Sequence, residues 1–190
     1  MKIFLISTPR GEGKVRKNYK LIYDEVQNLG YEHINNFIAS SSIDIYYQEM
    51  HKGRSEHIKF FNDMVKSIQA ADICVFEAST PSFGVGFLIQ RSIDYSKPTI
   101  VLYYKNDTPF FLSGIEDDKL IIKSYDEENY KNVIKSALES AREKRDKRFN
   151  FFLSPKLLQY IDDVSRERGI TKSKLLRDMI VKHMRSSSEG

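Results

Sequence analysis

Short apolar runs alternate with stretches of helical periodicity along the first 140 or so of the 190 residues, and few folds accommodate that rhythm. Lys2 to Ser7 reads as a strand that runs into the turn-forming STPRGEG. Val15, Tyr19, Ile22, Val26 and Leu29 then recur at helical spacing until Gly30 stops the helix. Residues 31–38 predict a second strand, serines 40–42 punctuate, and a long helical segment ends near Ala71 with a break around Gly53. The strand DICVFEA, residues 72–78, leads through the turn STPSFGVG to a helix ending near Tyr95. Pro98 opens the strand TIVLYY, and a 15-residue loop leads to the strand LIIKSY over residues 120–125. A last helix begins near Glu127 and ends in the charged ESAREKRDKR. Parallel neighbours joined by helices require right-handed crossovers. The expected fold is therefore α/β: a flavodoxin-like, doubly wound, mostly parallel five-stranded sheet. Its ligand crevice would lie beyond the carboxyl ends of the strands, where the strand order switches.

Hydrophobic residues make up 41% of the chain and charged residues 29%, the balance of a core-forming protein. No apolar run approaches the ~20 residues that a membrane helix requires, so no membrane partner is expected. The opening MKIFLIS is too short for a signal peptide and suits a buried first strand. Cys74 is the single cysteine and lies in the apolar DICVF, where it reads as a packed thiol. A lone cysteine forms no internal disulfide, which points to a cytoplasmic setting. The net charge of +4 conceals an asymmetry: from Ala141 onward 13 Lys and Arg face 7 Asp and Glu. Positive charge concentrated in the last quarter suits either a polyanionic partner or a solvated surface.

The last 42 residues or so depart from the rhythm. Residues 148–154 predict one isolated strand with Phe149, Phe151 and Leu153 on one face. Helices are expected over about 155–168 and 172–185, separated by Gly169, Ile170 and Thr171. One strand has no partner within such a unit, so two copies pairing their strands would be needed to bury its apolar face. The organisation expected is a nucleotide-binding domain over 1–140, a charged helical linker over 141–147 and a dimerising module over 148–186.

Two turns in the first domain have the composition of anion sites. In STPRGEGK, between a strand and a helix, the glycines permit close approach of the backbone and Arg10 can fork onto a phosphate. TPSFGVG repeats the logic, with Ser82 as hydroxyl donor and Gly84 and Gly86 as close-approach positions. The stretches KIFLISTPRGEG, AADICVFEASTPSFGVGF and FFLSGI resemble the nucleoside 2-deoxyribosyltransferase superfamily, specifically its 2′-deoxynucleoside 5′-phosphate N-hydrolase branch. That resemblance implies that Arg10, Gly11, Ser82 and Gly84 surround a 5′-phosphate. It also implies that Ser113 reaches the phosphate of a neighbouring subunit in a homodimer.

Two departures from the branch bear on chemistry. Leu88 stands where the resemblance places a nucleophilic glutamate, and Met64 where it places a second carboxylate, with Asp63 one residue away. Leucine can neither attack an anomeric carbon nor stabilise an oxocarbenium-like centre. One residue along a helix turns the side chain by about 100°, which makes Asp63 a poor substitute. Glu77 and Glu116 are near in sequence and read as structural. No catalytic residue, cofactor or metal site is expected on these grounds.

RFNFFLSPKLLQYIDDVSRERGITKSKLLRDMIVKHM resembles the ribbon-helix-helix regulators. The resemblance implies a two-stranded ribbon presenting Arg148, Asn150 and Phe152 to the DNA major groove, with Thr171, Lys172 and Ser173 anchoring a phosphate. Arg148 and Asn150 suit base edges; Phe152 does not obviously, which leaves oligomerisation alone as another reading. The combined expectation is a nucleotide-sensing, DNA-binding regulator with a catalytically degenerate deoxyribosyltransferase-like domain. The rival expectation is an N-glycosidase of 2′-deoxynucleoside 5′-monophosphates with rearranged carboxylates. A homodimer or larger homo-oligomer is expected under either.

Overall fold

A computed structural model of the chain describes residues 1–8, 13–34, 51–145 and 151–188. The chain divides into two compact units, Met1–Arg145 and Asp146–Gly190.

The first unit is built on a five-stranded, parallel sheet in the order β2-β1-β3-β4-β5. Its strands are β1 (Lys2–Ser7), β2 (Glu32–His33), β3 (Ile73–Glu77), β4 (Thr99–Tyr104) and β5 (Leu120–Tyr125). The order is that of the flavodoxin-like doubly wound sheets. β1 and β3 pair from Ile3 opposite Ile73 to Ser7 opposite Glu77. Every residue of β3, and all of β1 after Lys2, is buried. Unbroken burial rather than alternation marks strands covered on both faces, and it explains why IFLI and ICVF are continuous apolar runs. The rings of Phe4 and Phe76 meet edge-on, 6.0 Å between centroids, where β1 lies beside β3. β2 pairs through Lys2–Glu32 and Ile3–His33 only; the remainder of the strand expected to residue 38 lies outside the described residues from 35 onward.

Among the described residues, four helices pack on this sheet: α1 (Lys14–Asn28), α2 (Arg54–Ala70), α3 (Phe83–Asp94) and α4 (Tyr130–Glu143). α1 packs beside α4, and α2 beside α3. On α4 the buried positions Ile134, Ala137, Leu138 and Ala141 follow the three- and four-residue spacing of a single helical stripe. α2 begins after Gly53, and its last carbonyls, together with that of Ala71, are tied down by the Lys97 ammonium, which donates to Gln69 O at 2.6 Å and Ala71 O at 2.8 Å. Cys74 is fully buried, and burial pushes its thiol up to about 12, so it stays protonated and packs as a small apolar group.

The second unit holds α5 (Pro155–Glu167) and α6 (Lys172–Ser188). The Ser154 side chain caps α5 by accepting from Leu157 N, and Pro155 occupies the first turn, where its missing N–H costs nothing. Residues 151–154 hold no regular element, and Phe149 and the rest of the expected strand lie outside the described residues. Ile161 and Leu175 are buried between the helices, while Phe151, Leu157, Leu158 and Ile180 remain exposed. Two helices alone provide too little surface to cover these side chains.

Three helices end in the same device. Gly30 donates to Gln27 O and Tyr31 to Val26 O after α1; Gly169 donates to Arg166 O and Ile170 to Ser165 O after α5. Both glycines have positive φ, 81° and 64°, as this double bond pattern requires. After α3 the same pair of bonds forms at Ser96 and Lys97, but Ser96 takes the left-handed conformation (φ 55°) with a Cβ in place. Gly30→Ala is expected to lower the stability of the protein by about 1 kcal/mol, and Ser96→Gly to raise it by about 0.5–1 kcal/mol. The shift in urea midpoint at constant slope reads both; equal shifts of the same sign would contradict this account of the helix ends.

Candidate functional site

A cavity of about 490 Å³ opens at the carboxyl ends of β3 and β4. Its floor is the β3–α3 turn, Ala78 to Ser82, and its far wall is the loop after β4, Asn106 to Leu112. Val85 and Ile89 on α3, with Phe110 and Phe111 on the loop, make it largely apolar. Ser79, Ser82, Thr108 and Asp107 supply polar groups. This combination of apolar wall and few polar groups suits a small organic ligand. Sequence reasoning placed the crevice at the β1–β3 switch, but the first turn, with Arg10 and Gly11, lies outside the described residues. Among the described residues, the cavity is lined by the β3–α3 turn, α3 and the β4–β5 loop.

Ser82 caps α3, its Oγ accepting from Val85 N at 3.4 Å. It lines the cavity together with Gly86, so the helix begins at the cavity wall. The first-turn amides of a helix lack intrahelical acceptors and carry partial positive charge, which favours an anion there. A Cβ at Gly84 would come no nearer than 4.0 Å to any side chain, and one at Gly86 would meet nothing. Packing among the described residues therefore does not demand either glycine, and the space over them would admit a closely approaching ligand. Gly84 is not among the lining residues, and neither is Ser113, which is exposed on a 3₁₀ turn, Leu112–Gly114.

Below the cavity floor, Glu77 is fully buried. It accepts from Ser7 Oγ at 2.9 Å, from Tyr125 OH at 3.0 Å, and from both the amide and the hydroxyl of Ser79. Burial, reinforced by Glu77 itself, pushes the Tyr125 hydroxyl up, so it remains a donor. Ser79 Oγ in turn accepts from Tyr104 N at 2.8 Å, which fixes a hydroxyl that lines the cavity. Glu77 thus joins β1, β5 and the β3–α3 turn, and Glu116 is exposed and not among the lining residues.

The β4–β5 loop starts from a pinned stem. Lys105 turns the chain with φ 51°, its amide donating to Tyr125 O at 2.8 Å. The Glu127 carboxylate is bonded by the Tyr104 hydroxyl and pairs with Lys105 Nζ at 3.1 Å. The Tyr104 hydrogen bond, with smaller help from a backbone amide and Lys105, holds Glu127 at about 2, so it is ionised throughout the neutral range. Asp107 N then donates to Tyr104 O at 3.1 Å, and Asp107 lines the cavity. Sequence reasoning did not single out Asp107. The signal available was loop length, since connections of this size in compact domains are often functional.

Leu88 and Met64 are buried in the hydrophobic core, on α3 and α2. Asp63 is exposed, as a rotation of about 100° from a buried neighbour requires. In the second unit, Lys172 is ion-paired with Asp162, and Lys174 with Asp178 at 3.7 Å. Thr171 Oγ1 accepts from Lys174 N and so caps α6, Ser173 and Phe152 are exposed, and Arg148 and Asn150 lie outside the described residues. Among the described residues no cluster of three or more His, Cys, Asp or Glu could hold a metal, and no helix is long and apolar enough to cross a membrane.

No family model matches the chain. A Thermofilum pendens protein named as a 2′-deoxynucleoside 5′-phosphate N-hydrolase is 28% identical over 146 residues, 77% of this chain and 93% of that one. A 5-hydroxymethyl-dUMP N-hydrolase of Branchiostoma floridae is 31% identical over 78 residues, 39% of this chain and 74% of that one. Among solved structures, the CMP N-glycosidase BcmB of Clostridium botulinum aligns with a TM-score of 0.47 at 15% identity, over 72% of this chain and 98% of that one.

These names overturn the expectation of a catalytically degenerate, DNA-binding transcriptional regulator. The degenerate reading equated loss of a carboxylate at two helix positions with loss of any carboxylate at the site, whereas Asp107 reaches the cavity from a loop. The DNA reading rested on a net positive tail and on the ribbon-helix-helix resemblance; two of the lysines near its phosphate anchor, Lys172 and Lys174, are paired with acidic side chains. What the sheet order and the 31% relative establish together is that this chain, with its deoxyribosyltransferase-like first unit, belongs to the family of 2′-deoxynucleoside 5′-phosphate N-hydrolases.

Proposed function

We propose that the first unit hydrolyses the N-glycosidic bond of 2′-deoxynucleoside 5′-monophosphates, releasing free base and 2-deoxyribose 5-phosphate. The observation that carries this reading is the match to relatives bearing N-hydrolase names, one of them along 93% of its length. The cavity supports it chemically. Its Ser82 end, at the N-terminus of α3, suits a phosphate, with Gly84 and Gly86 leaving room; the resemblance adds Arg10 and Gly11 to the same anion site. The rim offers Phe110 and Phe111, each 82% exposed, as flat surfaces on which a base can stack.

Full-length protein incubated with the deoxynucleoside monophosphates and with 5-hydroxymethyl-dUMP is expected to release free base, resolved by chromatography. The corresponding nucleosides, which lack the phosphate, should react at least about 100-fold more slowly, since remote binding energy is then missing. No base above the uncatalysed background from any of these nucleotides would sink the hydrolase reading.

The phosphate end has its own test. An Arg10→Ala/Ser82→Ala double variant is expected to bind nucleotide monophosphate roughly 10–100-fold more weakly by calorimetry, as loss of hydrogen bonds to a charged group implies. Unchanged affinity would remove these residues from the site.

The second unit is, in the same proposal, a ribbon-helix-helix module that makes the protein a homodimer, in which Ser113 of one subunit can reach the phosphate bound by the other. Support comes from the exposed Phe151, Leu157, Leu158 and Ile180, a larger apolar surface than a unit of this size can leave uncovered. Phe151→Asp is expected to lower the oligomeric state measured by sedimentation at micromolar protein; an unchanged mass would count against the module as a dimerising device.

A further inference from the structure

We propose that Asp107 is the catalytic carboxylate of this hydrolase, an inference that rests on the N-hydrolase reading of the cavity. Cleavage of an N-glycosidic bond passes through an oxocarbenium-like centre and needs a carboxylate near the anomeric carbon. The core positions Leu88 and Met64 supply none, and both side chains are buried in packing. Glu77 is sealed beneath the floor, with hydroxyls and an amide already on its oxygens. Asp63 and Glu116 do not line the cavity. Among the described residues lining the cavity, Asp107 is the one with an acidic side chain.

Its backbone is held in place, while the side chain is exposed. The Asp107 amide is bonded to Tyr104 O at 3.1 Å, three residues after a strand residue, and the turn between them is fixed by Lys105 on Tyr125 O and on Glu127. A backbone anchored in this way keeps a side chain near one position, which a general base needs in order to meet its water. Ser82 lines the same cavity, so a nucleotide whose phosphate is held at the start of α3 shares that cavity with this loop.

The step is a hydrolysis. A water oxygen bonds to C1′ as Asp107 takes one of its protons, while the C1′–N bond breaks and its electron pair leaves with the base. The proton held by Asp107 then passes to the departing base, which regenerates the carboxylate. The products are 2-deoxyribose 5-phosphate and the neutral base, with one water consumed.

The test measures base release by full-length wild type, Asp107→Asn, Asp107→Glu and a Glu116→Gln control, with nucleotide affinity by calorimetry. Asp107→Asn is expected to lower kcat by about 100-fold or more while affinity stays within about threefold, as removal of a general base requires. The acid limb of the kcat–pH profile should vanish from its residual rate, Asp107→Glu should recover part of kcat, and Glu116→Gln should match wild type. A kcat within about threefold of wild type in Asp107→Asn overturns the inference and leaves the hydrolase reading standing. A fall in affinity with kcat unchanged also overturns it, making Asp107 a binding group. Wild type that binds nucleotide but releases no base overturns both.

Discussion

Glu77 sits at the carboxyl end of β3 with no exposed surface, and its two oxygens gather Ser7 from β1, Tyr125 from β5 and Ser79 from the turn into α3. A buried carboxyl group is tolerable only when hydrogen-bonded, and each lost donor leaves an unsatisfied group costing about 1–3 kcal/mol. The parts of the structure that meet at Glu77 are therefore held in one arrangement. That arrangement sets the height of the Ser79 hydroxyl, the start of α3 at Ser82 and, through Tyr104 N on Ser79, the end of β4. The cavity is what remains above these fixed points once the β4–β5 loop stands across from them.

Parallel strands place all their carboxyl ends on one edge of the sheet, and the turns that leave from there can converge on a ligand. Among the described residues that edge carries two devices. The β3–α3 turn offers a helix N-terminus, a hydroxyl and open space over two glycines, all suited to an anion. The β4–β5 loop offers aromatic surface and a carboxylate, suited to a base and to the bond that joins it to a sugar. The core helices α2 and α3 contribute leucine and methionine at the two places where the family resemblance puts carboxylates, so those positions are spent on packing. Chemistry assigned to the loop instead leaves the core undisturbed.

The second unit follows a different economy. Its two helices are capped at Ser154 and Thr171 and turned by Gly169, yet they enclose little beyond Ile161 and Leu175. Two of its positive charges, Lys172 and Lys174, are paired at close range with Asp162 and Asp178.

Residue order alone determined the sheet. Unbroken apolar runs such as IFLI and ICVF announce strands buried on both faces, and the helical spacing of Ile22, Val26 and Leu29 ahead of Gly30 announces a helix and its end, because these signals are local and repeat with the period of the backbone. The turn at Ser82 was legible for the same reason: cap, glycines and helix start lie within a few residues of one another. Asp107 was not legible, since nothing within its own loop marks it; the loop has no period, and its value comes from standing opposite a turn 25 residues earlier in the chain. Glu77 could be read as structural but not as the junction of three strands, because Ser7 and Tyr125 reach it only through the sheet order. The pairing of Lys172 with Asp162 was hidden likewise, being made across two helices. Periodicity along the chain decided the elements, and only the tertiary structure decided which side chains the ends of those elements bring together.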